Sequence, residues 1–182
     1  MRRQGTLAPM MTAAAVLDIL HALQVASVPA WVDGGWGVGA LLGIQRRAHD
    51  DLDLVVDIEQ LEVVVQTLAA LGFELDNDGR PTRVSLHAAD GRTVDLHLVS
   101  FTPEGDAIQQ LQDGSTFCYR ASGFAGRGRI GGQPVPCLDV AVQVECHLGY
   151  TPDAGDIADV QALADRFGIA LPWPYFQSKP SG

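Results

Sequence analysis

Residues 33–38 read Asp33-Gly34-Gly35-Trp36-Gly37-Val38, and residues 47–57 read Arg47-Ala48-His49-Asp50-Asp51-Leu52-Asp53-Leu54-Val55-Val56-Asp57. The second stretch decides the fold. From Leu52 to Asp57 it is short, apolar and rich in β-branched residues, the signature of a strand with at least one buried face. If that strand starts one residue early, Asp51 and Asp53 share a face while Leu52, Leu54 and Val56 enter the core on the other. Upstream, Ala30-Trp31-Val32 reads as a short buried strand after Pro29, Gly34-Gly35 turns the chain, and Trp36 to Leu42 reads as a helix stopped at Gly43.

The rest of the chain alternates in the same way. Thr12 is placed to cap a helix over 12–26 that carries Val16, Ile19, Leu20 and Leu23 at helical spacing. Residues 59–71 form a second amphipathic helix closed by Gly72. Strands are expected at 82–88 and 93–99, joined by Asp90-Gly91, a strong hairpin signal. The glycine-rich stretch 116–137 predicts one or two hairpins, and helices follow at 138–148 and 153–167. The expected class is α+β: a mixed sheet covered by helices, with a small C-terminal helical portion. The expected organisation is a loose leader over 1–11, a core over 12–137, and helices and tail over 138–182.

Composition narrows the chemistry. The chain has 182 residues, 47% of them apolar and 19% charged, with 22 acidic against 12 basic residues and a net charge of −10. Such a balance is globular and argues against a sequence-blind nucleic-acid binder, which needs clustered Lys and Arg. Lys179 is the only lysine. That excludes a Walker A loop and a Schiff-base lysine within the fold. Cys118, Cys137 and Cys146 form no CxxC pair, which fits reduced thiols and a cytoplasmic setting. No uncharged run approaches the roughly 18 residues of a membrane span, so no membrane partner is expected.

Two carboxylates on one strand face repel unless a cation lies between them, and Mg²⁺ is the usual solution. Alone, Asp-x-Asp is also what a solvated strand end looks like. The strand at 93–99 adds Asp95 and His97 on one face, opposite Val94, Leu96 and Leu98. A third carboxylate beside the first two is how a two-metal phosphoryl- or nucleotidyl-transfer site is built. The phosphates must then be held without lysine. Gly34 and Gly35, between strand and helix, offer backbone N–H groups and a helix N-terminus, with Arg46, Arg47 and His49 between them and the carboxylates. An ordinary strand–helix turn would read the same way.

Together these motifs resemble the small antibiotic nucleotidyltransferases of the polymerase-β superfamily. The resemblance is strongest to the lincosamide nucleotidyltransferases and more distant to the aminoglycoside 2″-nucleotidyltransferases. It rests on Asp33-Gly34-Gly35-Trp36, Arg47-x-His49-x-Asp51-x-Asp53, Pro81-x-Arg83, Asp95-x-His97, Pro136-Cys137, Gln143, His147, Gly149-Tyr150 and Asp156-x-x-Asp159. It implies Mg-dependent transfer of a nucleoside monophosphate, AMP from ATP in the first instance, to a hydroxyl of a small antibiotic, with release of pyrophosphate. By the same resemblance Asp51 and Asp53 are metal carboxylates and Asp95 a metal ligand, the base, or both, in a site with two Mg²⁺ ions. Gly34, Gly35, Arg47 and His49 are expected at the nucleotide, and Arg83, His97, Glu145 and Tyr150 at the acceptor. One departure stands out: these families usually carry an acidic residue where this chain has Gly39. An aminoglycoside acceptor, or a non-catalytic or toxin–antitoxin-type protein on the same fold, is the alternative, and a monomer or homodimer is expected.

Overall fold

The computed structural model describes residues 10–178. Residues 1–9 of the expected leader, and Lys179, lie outside the described residues. Met11 is buried, and its N–H donates to the carbonyl of His49 at 2.8 Å. Helix α1 (Ala13–Val25) follows, its N-terminus closed by the Thr12 hydroxyl accepting from Ala15 N–H at 3.1 Å. Val16, Ile19 and Leu23 face the core.

Strand β1 (Ala30–Val32), helix α2 (Gly34–Leu42) and strand β2 (Asp51–Asp57) come next. The expected separate turn at Gly34-Gly35 does not exist, because both glycines already belong to the first turn of α2. Asp33 is its N-cap, with the carboxylate accepting from Gly34 N–H at 2.7 Å. A short 3₁₀ turn leads into α3 (Leu61–Ala70), which buries Leu61, Val64 and Leu68.

Strands β3 (Phe73–Gly79), β4 (Arg83–Ala88) and β5 (Thr93–Phe101) complete a sheet in the order β1-β2-β5-β4-β3. Among the described strands of this sheet, β2 and β5 run parallel and the other pairings are antiparallel. The end of β5 also pairs with β6 (Ala107–Gln110), which pairs with β7 (Thr116–Tyr119). A separate hairpin, β8 (Arg127–Ile130) and β9 (Gln133–Pro136), packs on α2, so closely that a Cβ on Gly128 would meet the backbone of Ala40.

Leu52, Leu54, Val94, Leu96 and Leu98 lie wholly inside the main core with α1 and α3, as the period-two pattern requires. Helices α4 (Val140–Cys146) and α5 (Ala154–Phe167) contribute Val144, Val160 and Leu163 to a second core shared with Val38 of α2. The C-terminal helices therefore pack on the element that follows β1. Among the described residues, no helix is long and apolar enough to cross a membrane.

Candidate active site

The parallel β2–β5 pair places the carboxylates. Asp53 faces Asp95 directly across the register, and Asp51 lies two residues earlier on the same face. Adjacent strands lie about 4.7–4.9 Å apart, so nothing longer than a side chain separates the two. Burial pushes the Asp51 carboxyl above its ordinary range, and the negative charges of Asp53, Asp50 and Asp95 push it the same way. Oxygen donors paired on one strand face suit Mg²⁺. Asp51 and Asp53 fit such an ion as a pair. Among the described residues, however, no three His, Cys, Asp or Glu side chains are gathered into a ready-made cage.

Asp95 is not among the residues that line the cavity; Ser85 Oγ donates to its Oδ1 and the Arg83 guanidinium approaches to 3.9 Å. Asp53 is held from two sides. His97 Nε2 lies 3.1 Å from Oδ1, and the backbone of Gly34 presses so close that a Cβ there would fall 2.2 Å from Oδ2. Burial opposes a charge on His97, but its hydrogen bond to Asp53 and the charges of Asp33, Asp53 and Asp95 outweigh burial and raise its pKa.

The start of α2 is braced from below. Asp33 is 4% exposed, and Gln143 of α4 donates to its Oδ1 at 3.0 Å and to the Gly34 carbonyl at 3.3 Å. Burial raises the Asp33 carboxyl while His97 pulls it back. Gly35 lies flat under the His49 imidazole, whose Cε1 would be 1.9 Å from an added Cβ. His49 is buried, and burial together with Arg47 lowers its pKa, so at neutral pH it meets the cavity as an uncharged ring.

Arg47 does not reach freely into the cavity. Its Nη2 and Nε bond Asp159 Oδ2 of α5 at 3.1 and 3.3 Å, while Arg46 Nη1 donates to the Ala158 carbonyl at 2.9 Å. The expected pair of phosphate arginines is thus tied to the C-terminal helix, with Arg47 still lining the cavity.

All of this surrounds one open cavity of about 880 Å³. Gly34, Gly35, Arg47, His49, Asp51 and Asp53 line one wall. Arg83, His97, Glu145 and Tyr150 line it as well, together with Leu111, Gln112 and Phe117 of the β6–β7 hairpin. Glu145 is paired with Arg120, and Tyr150 is about half exposed. Trp36 is core and Trp31 packs on Phe124, both outside the cavity; His21 and His87 are on the surface.

The sequence from residue 15 to residue 163 matches the family described as aminoglycoside-2″-adenylyltransferase. The chain belongs to that family.

The chain is similar to two kinds of antibiotic-resistance protein. A lincosamide resistance protein of Staphylococcus haemolyticus is 27% identical over 148 residues, 81% of this chain and 89% of the relative. A 2″-aminoglycoside nucleotidyltransferase of Escherichia coli is 30% identical over 122 residues, which spans only 63% of that protein. Among solved structures, lincomycin-bound LnuA superimposes with a TM-score of 0.76 at 26% identity, covering 85% of this chain and 98% of LnuA. ANT(2″)-Ia bound to adenylyl-2″-tobramycin gives 0.67 at 19% identity, covering 86% of this chain and 89% of that one, a likeness of fold. The expected family and the mixed α+β nucleotidyltransferase fold are both borne out.

Sequence reasoning missed Asp33 as a site residue, although it stood inside the quoted motif; a capping residue before Gly-Gly was the available signal. It also missed Gln109 and Tyr119, which line the cavity from β6 and β7. No local pattern distinguishes them from ordinary strand residues.

Proposed function

We propose that the chain transfers a nucleoside monophosphate, AMP from ATP, to a hydroxyl group of a small antibiotic of the lincosamide type, releasing pyrophosphate. The observation that supports this most is that Asp51 and Asp53 share one cavity with the glycine-bearing N-terminus of α2, Asp53 lying directly against Gly34. The near-complete alignment with the lincosamide resistance protein favours that acceptor class over aminoglycosides.

In this reading the backbone N–H groups at the start of α2 and the Arg47 guanidinium hold the triphosphate, and the neutral His49 ring packs over Gly35 to keep that backbone in place. Asp51 and Asp53 would hold Mg²⁺, with a second ion shared with Asp95; bound there, the metal supplies charge compensation for the phosphates and the α-phosphorus. The acceptor hydroxyl oxygen forms its bond to the α-phosphorus as the bond to the β-phosphate oxygen breaks, and pyrophosphate carries off that electron pair. Asp95, beside the cavity and accepting from Ser85 at Oδ1, is the base this reading assigns to the hydroxyl proton. Arg83, His97, Glu145 and Tyr150 border the space left for the acceptor.

A second reading, an aminoglycoside acceptor, draws on the acidic residues Asp113, Glu145, Asp153 and Asp156 of the same wall, which suit a polycation. A panel of lincosamides and aminoglycosides incubated with ATP and Mg²⁺, read by mass, separates the two. Asp95→Asn is then expected to lower turnover at least about 10²-fold with ATP affinity nearly kept, whereas Asp53→Asn damages both. Turnover surviving in Asp95→Asn would refute the proton assignment, and no adenylylated product with any acceptor would refute the function.

A further inference from the structure

Asp159 sits where a helix has no local use for a carboxylate. It belongs to the second turn of α5, past the capping box that Asp153 and Asp156 form at the helix start, so no orphan backbone N–H needs it. Aspartate is a poor residue for a helix interior, and a carboxylate only 4% exposed has to be paired. Its partner among the described residues is Arg47, which donates from both Nε and Nη2 to the same oxygen, Oδ2.

Arg47 in turn has little else to fix it. Residues 43–50, which join α2 to β2, belong to no helix or strand, and a free arginine samples many rotamers. Three contacts hold Arg46 and Arg47, all of them on α5. Besides the pair with Asp159, Arg46 Nη1 donates to the Ala158 carbonyl at 2.9 Å. The Arg47 guanidinium also passes over Gly155, where an added Cβ would stand 3.5 Å from Cζ and Nε, at ordinary contact distance.

The pairing uses one edge of the guanidinium and spares the other. Of its five N–H donors two go to Asp159, Nη1 has no partner among the described residues, and the side chain stays 46% exposed. Arg47 lines the cavity with Gly34, Gly35 and His49. Among the described residues Arg83 is the one other arginine in that lining, and it leans toward Asp95.

We propose that Asp159 is a positioning residue that clamps one edge of the Arg47 guanidinium and thereby presents the Nη1 edge to the triphosphate. This rests on the function proposed above and gives α5 a part in it: the helix touches no phosphate but sets the angle of the cation that does. A fork already held in place forms its phosphate bonds without first being ordered, which is worth about 3–10-fold in affinity for one long side chain. Charge alone predicts the opposite sign. Removing the negative Asp159 would make the cavity more attractive to phosphate, so weaker binding is the mark of positioning.

The test compares the full-length wild type with Asp159→Asn, which keeps the size and one acceptor oxygen. In ¹H–¹⁵N spectra without nucleotide or metal, the Arg47 Nε–H, assigned from the signal lost in Arg47→Lys, should exchange slowly with water in the wild type and fast in Asp159→Asn. Titrations with ATP, tripolyphosphate and adenosine, each with Mg²⁺, should then show ATP and tripolyphosphate weakened about 3–10-fold and adenosine unchanged. Arg47→Lys, whose single ammonium keeps the charge and the pair but has no second edge, should lose tripolyphosphate affinity likewise, and it carries the test if Asp159→Asn fails to fold. Unchanged or tighter tripolyphosphate binding in either folded variant overturns the proposal, as does an Nε–H equally protected with and without Asp159. Equal loss of adenosine and ATP would mean a displaced α5 and overturns it too. A wild type that binds tripolyphosphate through this arginine yet adenylylates nothing would leave the positioning intact and sink only the transfer reaction.

Discussion

Replacing Gly34 by alanine, with Gly43→Ala as its control, measures how closely the start of α2 is fitted to Asp53. Both glycines have left-handed backbones, φ +58° at Gly34 and +73° at Gly43. An L-residue in that region costs about 1–2 kcal/mol, so each variant should lose that much stability from strain alone. For a chain of this length, each kcal/mol lowers Tm by roughly 2–4 °C. Around Gly43 nothing lies within 4 Å of an added Cβ, and its penalty ends there. At Gly34 the Cβ would stand 2.2 Å from Asp53 Oδ2 and 2.9 Å from Cγ, against 3.4 Å or more for ordinary contact. The carboxylate must retreat by about 1 Å, and its other oxygen is tied to His97. A misplacement of that size at a reacting centre costs on the order of 10² in rate. Thermal melts and adenylyl transfer to the preferred acceptor should therefore diverge. Tm should fall in both, and further in Gly34→Ala, while turnover collapses only in Gly34→Ala. Equal turnover in both would refute the fit between this backbone and Asp53.

Arg47→Ala strips the counter-charge from Asp159, which is 4% exposed, and should cost about 1–3 kcal/mol in urea titrations. Arg47→Ala/Asp159→Ala should regain much of that stability without regaining ATP affinity; recovery of both would mean that Arg47 is only a structural tie. Gly39→Ala is expected to stabilise the chain by about 0.5–1 kcal/mol, since a helix interior favours alanine and the Cβ meets only the end of the exposed Gln45 side chain. A lowered Tm would show that Gln45 cannot swing aside.

The legible parts of the fold were those where a single face is buried and the ends are chemically marked. Helix α1 carries its Thr12 cap, and β4 and β5 meet at Asp90-Gly91, where Gly91 has φ +94°. Strand β3 was missed because Phe73 alone among its residues is buried; the remainder, Glu-Leu-Asp-Asn-Asp-Gly, forms a solvated edge without alternation. Strand β6 was missed for its brevity. At the site, the shared faces of Asp51 with Asp53 and of Asp95 with His97 were legible from strand period, whereas the parallel register that sets Asp53 opposite Asp95 was not. What stayed hidden were ties between distant elements: Arg47 to Asp159, Gln143 to Asp33, and Gln109 to His97. Each joins side chains far apart in sequence, and no periodicity encodes its partner.

The one parallel pairing in the sheet also dictates when a working site can exist during folding. β2 and β5 cannot meet through a tight turn; α3, β3 and β4 must first be laid out between them. Bringing Asp53 beside Asp95 thus carries the loop-closure entropy of that whole excursion, which local helix and hairpin contacts do not share. A slip of one residue would point the β2 carboxylates into the apolar interior, so partly registered chains gain nothing from the site. On this topology the carboxylate face is expected to form after the local helices and hairpins, with regained activity reporting on completed register rather than on recovered helix.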